Sequence, residues 1–141
     1  MGVIVDTSIW VEIERDRMTL AEVEATAPDD IVYLTPAIVA ELEYGVERAT
    51  SVAQRMRRSA DLRNIKALTC LPIDVATGEI FGRIAAQLDK KGRPSTHRVQ
   101  DLWTASVALQ HDMKVLTVNL RDFEDIPGLT VLSPPSTRPG P

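Results

Sequence analysis

Val3-Ile4-Val5-Asp6-Thr7-Ser8-Ile9-Trp10-Val11-Glu12-Ile13 is the stretch that decides the fold. Its first three residues are β-branched and apolar, as a short buried strand requires. An acid and two small hydroxyl residues follow, and Thr7 or Ser8 is a candidate cap for a helix running on through Ile13. The same alternation continues outward. Ile31–Leu34 reads as a second strand, Ala67–Ile73 as a weaker third, Val115–Val118 as a fourth and Leu129–Leu132 as a fifth. Thr35-Pro36 opens a helix, a capping residue followed by proline at the first helical position, that should reach about Ala49. Further helical patterns cover Val52–Lys66, Val75–Lys90 behind an Asp74 cap, and Arg98–Asp112. Strands alternating with helices predict an α/β domain with a mostly parallel sheet.

Three carboxylates stand where apolar structure is expected. Asp6 ends the first strand, Glu41 interrupts the helical stripe of Ile38, Leu42 and Gly45, and Asp101 opens the last long helix. Thr117, Asn119 and Asp122 follow the fourth strand. In an open parallel sheet, ligands gather outside the carboxyl ends of the strands, where these segments lead. Each acid has an ordinary explanation when taken alone. Asp6 suits a helix cap, Asp101 a first-turn partner of the helix dipole, and Asn119 and Asp122 a turn. Glu41 on an apolar stripe has none. Buried acids need partners, and a site made of oxygen ligands selects a hard cation, Mg²⁺ or Mn²⁺.

Composition narrows the rest. The chain has 141 residues and a formal net charge of −4, so it carries no global basic signature for nucleic acid. A metal nuclease needs only a local basic rim. Its single cysteine, Cys70, cannot form an internal disulfide and reads as a buried strand thiol. No apolar run reaches the roughly 20 residues that span a bilayer. Asp6 comes too early for a secretory leader, so a cytoplasmic protein is expected. Residues 1–132 should form one domain, and Ser133–Pro141, rich in proline, a disordered tail.

Two other classes fit parts of this pattern. Asp74 after a strand suits a receiver-like signalling domain, but such domains pair acids after the first strand, where this chain has Thr7 and Ser8. An aspartate-nucleophile phosphohydrolase would place a second acid where Ser8 stands. A catalytically silent binding module would have little reason to keep the acids.

Val-Ile-Val-Asp6-Thr-Ser, Glu41-Leu-Glu-Tyr-Gly45-Val, Asp101-Leu-Trp-Thr-Ala-Ser and Leu-Thr117-Val-Asn119-Leu-Arg-Asp122-Phe123 together resemble PIN-domain proteins, and more narrowly VapC-type toxins of type II toxin–antitoxin pairs. The likeness runs from Val3 to about Leu132. It implies a three-layer α/β/α fold and a metal-dependent endoribonuclease acting through metal-activated water, leaving a 5′-phosphate and a 3′-hydroxyl. By the same resemblance Asp6, Glu41 and Asp101 bind Mg²⁺ or Mn²⁺; the family often has an acid where this chain has Asn119, so either Asn119 or Asp122 completes the catalytic set, Asp122 supplying the missing charge or supporting the loop. It implies RNA as substrate, a VapB-type antitoxin as partner and a homodimer, with no membrane partner. Ser8, Thr117, Arg93 and Arg98 are candidate substrate contacts, and Thr7 or Ser8 is a candidate to orient Asp6 or the substrate. Lys90, Lys91, Arg93, His97 and Arg98 form a basic stretch before Asp101; the arginines of the middle helix read as a solvated face. His97 and His111 are not expected to be catalytic. Trp10, Phe81, Trp103 and Phe123 read as core or interface.

Overall fold

The computed structural model describes residues 1–135. In chain order it contains β1 (Gly2–Val5), α1 (Thr7–Glu14), α2 (Leu20–Thr26), β2 (Ile31–Leu34), α3 (Pro36–Glu47), α4 (Val52–Ile65), β3 (Thr69–Cys70), α5 (Val75–Lys90), α6 (Val99–Gln110), β4 (Lys114–Leu116), a 3₁₀ turn (Leu120–Asp122) and β5 (Val131–Leu132). All strand pairings are parallel, in the order β3-β2-β1-β4-β5.

β1 is the centre, and every one of its residues is buried. Alternate side chains of a strand point to opposite faces, and β1 uses both. Ile4 joins Leu34, Ile38, Leu88, Leu102, Val115 and Phe123 in one cluster, against α3, α5 and α6. Val3 and Val5 join Ile9, Val23 and Leu116 in another, against α1 and α2. A sheet covered on both faces gives three layers, as expected. α4 packs on α3.

The local sequence explains the element ends. Thr35 caps α3 by accepting a hydrogen bond from the Ile38 N–H, with Pro36 at the first position. Asp74 and Thr77 cap α5 reciprocally. Asp6 itself, rather than Thr7 or Ser8, caps α1 by accepting from the Ser8 N–H. The predicted α3 ends at Glu47 rather than near Ala49. α2 was not anticipated, although Thr19 and Glu22 form a full capping box that marks its start.

Cys70 corrects an expectation. β3 is a two-residue edge strand whose residues are both exposed, so the thiol faces solvent instead of the core. Pro134, in the stretch expected to be a disordered tail, is buried; residues 136–141 of that stretch lie outside the described residues. No helix of the described residues is long and apolar enough to cross a membrane. The aromatic residues are packed. Phe123 is fully buried, Phe81 stacks on Trp103 with centroids 4.2 Å apart, and Trp10 donates its indole N–H to the Val5 carbonyl at 3.1 Å.

Three arginines of α4 tie it to neighbouring segments. Arg55 pairs with Glu47 and Arg57 with Asp16, both on exposed surface. Arg58 reaches further inward, donating to Glu14 of α1 at 3.3 Å and to the Gly45 carbonyl of α3 at 2.7 Å. Arg58→Ala should therefore lower unfolding free energy by about 1–3 kcal/mol, while Arg63→Ala on the same helix should stay within about 0.5 kcal/mol of the parent. Urea unfolding of both variants checks the contrast; equal effects would contradict the tie.

Candidate active site

The strand order reverses direction at β1. From there the chain leads to β2 on one side and β4 on the other. Such a switch point opens a crevice at the carboxyl ends of the two flanking strands. Asp6 leaves β1 there, and Thr117, Val118 and Asn119 leave β4 beside it. α3 brings Glu41 and α6 brings Asp101, three residues into its chain from the Arg98 cap position. Asp6, Glu41, Asp101, Asn119 and Asp122 all line one cleft of about 400 Å³, together with Thr7, Ser8, Val11, Glu12 and Val118. Every predicted catalytic residue thus faces the same space. Glu12 was missed; it sits one helical turn beyond Ser8, a spacing that places both on one face of α1.

Asp6 is held rigidly. Its Oδ2 accepts hydrogen bonds from the Ser8 hydroxyl at 2.8 Å, the Thr117 hydroxyl at 2.9 Å and the Ser8 N–H at 3.4 Å. All three bonds fall on Oδ2. The Ser8 and Thr117 hydroxyls also meet each other at 3.1 Å, and each accepts a backbone N–H, from Val118 and Asn119 respectively. Ser8 and Thr117, candidates for substrate contact, are thereby engaged in fixing an acid, and Thr117 is fully buried. Thr7 does the same for Glu41, donating to its Oε1 at 3.1 Å.

Charge crowding shows in the titration of the site. Burial, and then the charges of Asp6, Asp122 and Glu41, push the Asp101 carboxyl up to about 7, against a smaller opposing pull from Arg98. Burial and the Asp6 charge raise Glu41 also, partly offset by the hydrogen bond from Thr7. The cluster holds more negative charge than its surroundings neutralise.

Arg98 neutralises part of it from behind. Its guanidinium forms a fork with Asp125 at 2.7 and 2.8 Å and also donates to the Asp122 carbonyl oxygen. The side chain is only 12% exposed, so this arginine ties the loop carrying Asn119 and Asp122 to the helix carrying Asp101. Its partner Asp125 is held below the usual carboxylate range by that contact. Arg93 is far more open and leans on the same Asp125 at 3.3 Å. Asp74 stands apart from the cleft. It caps α5, accepts hydrogen bonds from Thr77 and Gln110, and follows an edge strand, so the receiver-like arrangement is missing.

The donor set fits a hard divalent cation by its chemistry, being all oxygen and short of positive charge. Among the described residues no three His, Cys, Asp or Glu side chains already close on a common point. Mg²⁺ does not demand that, because it keeps several waters and commonly takes only one or two carboxylates. Asp6 Oδ1, outside the hydroxyl network, and the carboxylates of Asp101 and Glu41 are the groups that would hold it.

Known proteins share this architecture. The PIN domain family profile matches residues 3–129. The chain is 32% identical over 136 residues to Ribonuclease VapC of Rickettsia bellii, covering 96% of this chain and 98% of that one. It is 31% identical over 125 residues to Ribonuclease VapC5 of Mycobacterium tuberculosis, covering 89% and 87%. Among solved structures, VapBC2 of Rickettsia felis bound to a promoter DNA fragment superposes with a TM-score of 0.81 at 21% identity, covering 94% of this chain and 98% of that one. VapBC-5 of Mycobacterium tuberculosis superposes with a TM-score of 0.73 at 26% identity and the same coverage.

The crowding has a sign in stability. The folded protein keeps the Asp101 proton up to about pH 7, whereas an unperturbed aspartate releases it near 3.8. Metal-free stability should therefore fall as pH rises through that window, with the full cost present above it. In EDTA, Asp101→Asn should melt several degrees above the parent at about pH 8, and the gap should close near the ordinary aspartate range. Identical melting at both ends would contradict the crowding.

Proposed function

This chain belongs to the PIN-domain family, and from that premise we propose that it is a metal-dependent endoribonuclease, the toxin of a type II toxin–antitoxin pair. One observation carries the reading. Separate segments, leaving β1, β4, α3 and α6, deliver Asp6, Asn119 and Asp122, Glu41 and Asp101 to one cleft at the sheet's switch point. The similarity to curated VapC ribonucleases over nearly the whole chain supports the same conclusion.

Asp6, Glu41 and Asp101 would hold the cation, Mg²⁺ or Mn²⁺. When bound, such an ion neutralises phosphate charge and acidifies an attacking water. The chain's own groups do the rest. Ser8 and Thr117 fix the Asp6 carboxylate through Oδ2 and leave Oδ1 for the site. Thr7 orients Glu41. Asn119 contributes an amide that can donate to a phosphate oxygen without adding charge. Asp122 adds charge on the far wall, its backbone anchored by Arg98. No histidine lines this cleft. Attack by water on phosphorus needs none; with the P–O3′ bond broken, as in the family this chain resembles, it leaves a 5′-phosphate and a 3′-hydroxyl.

The relatives named above include VapBC assemblies, which supports a VapB-type antitoxin as partner for this chain. A homodimer and a cytoplasmic setting belong to the same reading. Residues 1–132 are the nuclease domain.

Purified, antitoxin-free protein should cleave RNA with Mg²⁺ or Mn²⁺ and stop in EDTA. Asp6→Asn and Asp101→Asn should each lower kcat/KM by on the order of 100-fold or more. Cleavage that persists in EDTA and in both variants would overturn the proposal. Thr117→Val should weaken Mn²⁺ binding by roughly 10- to 100-fold, because it removes a hydroxyl that orients Asp6. Calorimetric titration checks this, and unchanged affinity would contradict the orienting role.

A further inference from the structure

A second cavity, of about 620 Å³, opens beside the acidic cleft and shares Val118, Asn119 and Asp122 with it. Its volume is in the range of sites that enclose a small ligand or one unit of a polymer. Its lining differs sharply from that of the cleft. Arg93, His97 and Arg121 stand exposed around it. Arg121 pairs with no acid among the described residues. Arg93 keeps a guanidinium that is 54% exposed despite its contact with Asp125. Arg98 also lines the cavity, but its charge is spent on Asp125. Apolar side chains complete the wall. Val118 is 38% and Leu120 39% exposed, on either side of Asn119 in the chain, and exposed Pro94 also lines the cavity.

We propose that this cavity binds the nucleotide flanking the scissile phosphate of a single-stranded RNA. Arg121 and Arg93 take the phosphate, and Val118, Leu120 and Pro94 take the face of the base or ribose. The inference rests on the nuclease reading and extends it to how the substrate is held. A chain with net charge −4 and acids crowded in its cleft repels RNA unless positive charge lies next to that cleft. The other strongly basic face, α4, has its Arg55, Arg57 and Arg58 tied to Glu47, Asp16 and Glu14. Cations together with exposed aliphatic surface match a nucleotide, which is charged on one side and apolar on the other. An inorganic anion would make no use of Val118 and Leu120. A single-stranded segment suits the cavity, because a base must leave its stack to enter it.

The test is anisotropy of a labelled, short, single-stranded RNA of mixed sequence, titrated in EDTA at several salt concentrations. Arg121→Ala should weaken binding on the order of tenfold and reduce the salt slope by about 0.7. Arg93→Ala should act in the same direction, and Arg63→Ala, which removes one positive charge on α4, should leave both quantities unchanged. With Mg²⁺ present, Arg121→Ala should raise KM more than it lowers kcat. Arg121 is exposed, and circular dichroism confirms that the variant folds. Wild-type protein that binds and cleaves RNA while the Arg121 and Arg93 variants match it overturns the subsite alone. A loss in Arg63→Ala equal to that in Arg121→Ala also overturns it, since general charge would then suffice. Wild-type protein that neither binds nor cleaves RNA overturns the nuclease reading together with the subsite.

Discussion

Mutual repulsion among Asp6, Glu41, Asp101 and Asp122 is the constraint around which the rest of this molecule is arranged. Burial of Asp101 and, after it, the nearby charges of Asp6, Asp122 and Glu41 disfavour its ionised form and push its carboxyl up to about 7, a cost the fold carries. The remainder of the chain has to hold these acids in the cleft. β1 does so from the centre of the sheet, fully buried and anchored to both layers by alternating side chains. Its neighbour β4 presents Thr117 to the same acid that β1 presents, so the parallel pairing of two strands becomes a hydrogen bond to a carboxylate. Natural proteins commonly carry such local strain at functional sites and offset it elsewhere.

The supporting groups divide the labour by charge. Uncharged hydroxyls from Thr7, Ser8 and Thr117 orient acids without neutralising them, which leaves the negative potential available to a cation. Arg98, half-buried at the rim, spends its fork on Asp125, outside the cleft, and lends Asp101 only a weak opposing pull. An arginine salt-bridged directly to Asp101 would have removed the charge the site needs. The arrangement separates two tasks. The cleft stays acidic, while the adjoining cavity keeps exposed cationic side chains, Arg121 and Arg93, at its lining.

Much of this was legible from the chain. Asp6 and Glu41 stood out because each breaks an apolar pattern with a definite period, and the period fixes which way the side chain points. Asp74 and Thr35-Pro36 marked helix starts that the structure reproduces. What sequence reasoning missed depends on tertiary context. Ser8 lies two residues from Asp6 and could be read as orienting it, but Thr117 is far along the chain and only the β1–β4 pairing brings it to Asp6, so it reads as a substrate contact instead of a strut. Arg98 looked like a phosphate ligand because its acid, Asp125, arrives from a later loop. Cys70 looked buried because an apolar run does not reveal that its strand lies at an edge. α2 is a different case, since its Thr19–Glu22 capping box was present locally.

Anomalous diffraction from crystals of the catalytically competent protein equilibrated with Mn²⁺ tests the central claim most directly. The account predicts an ion in the cleft, ligated by the Asp6 and Asp101 carboxylates and lost in Asp101→Asn. Manganese found only elsewhere, in crystals grown under conditions where the protein cleaves RNA, would contradict it.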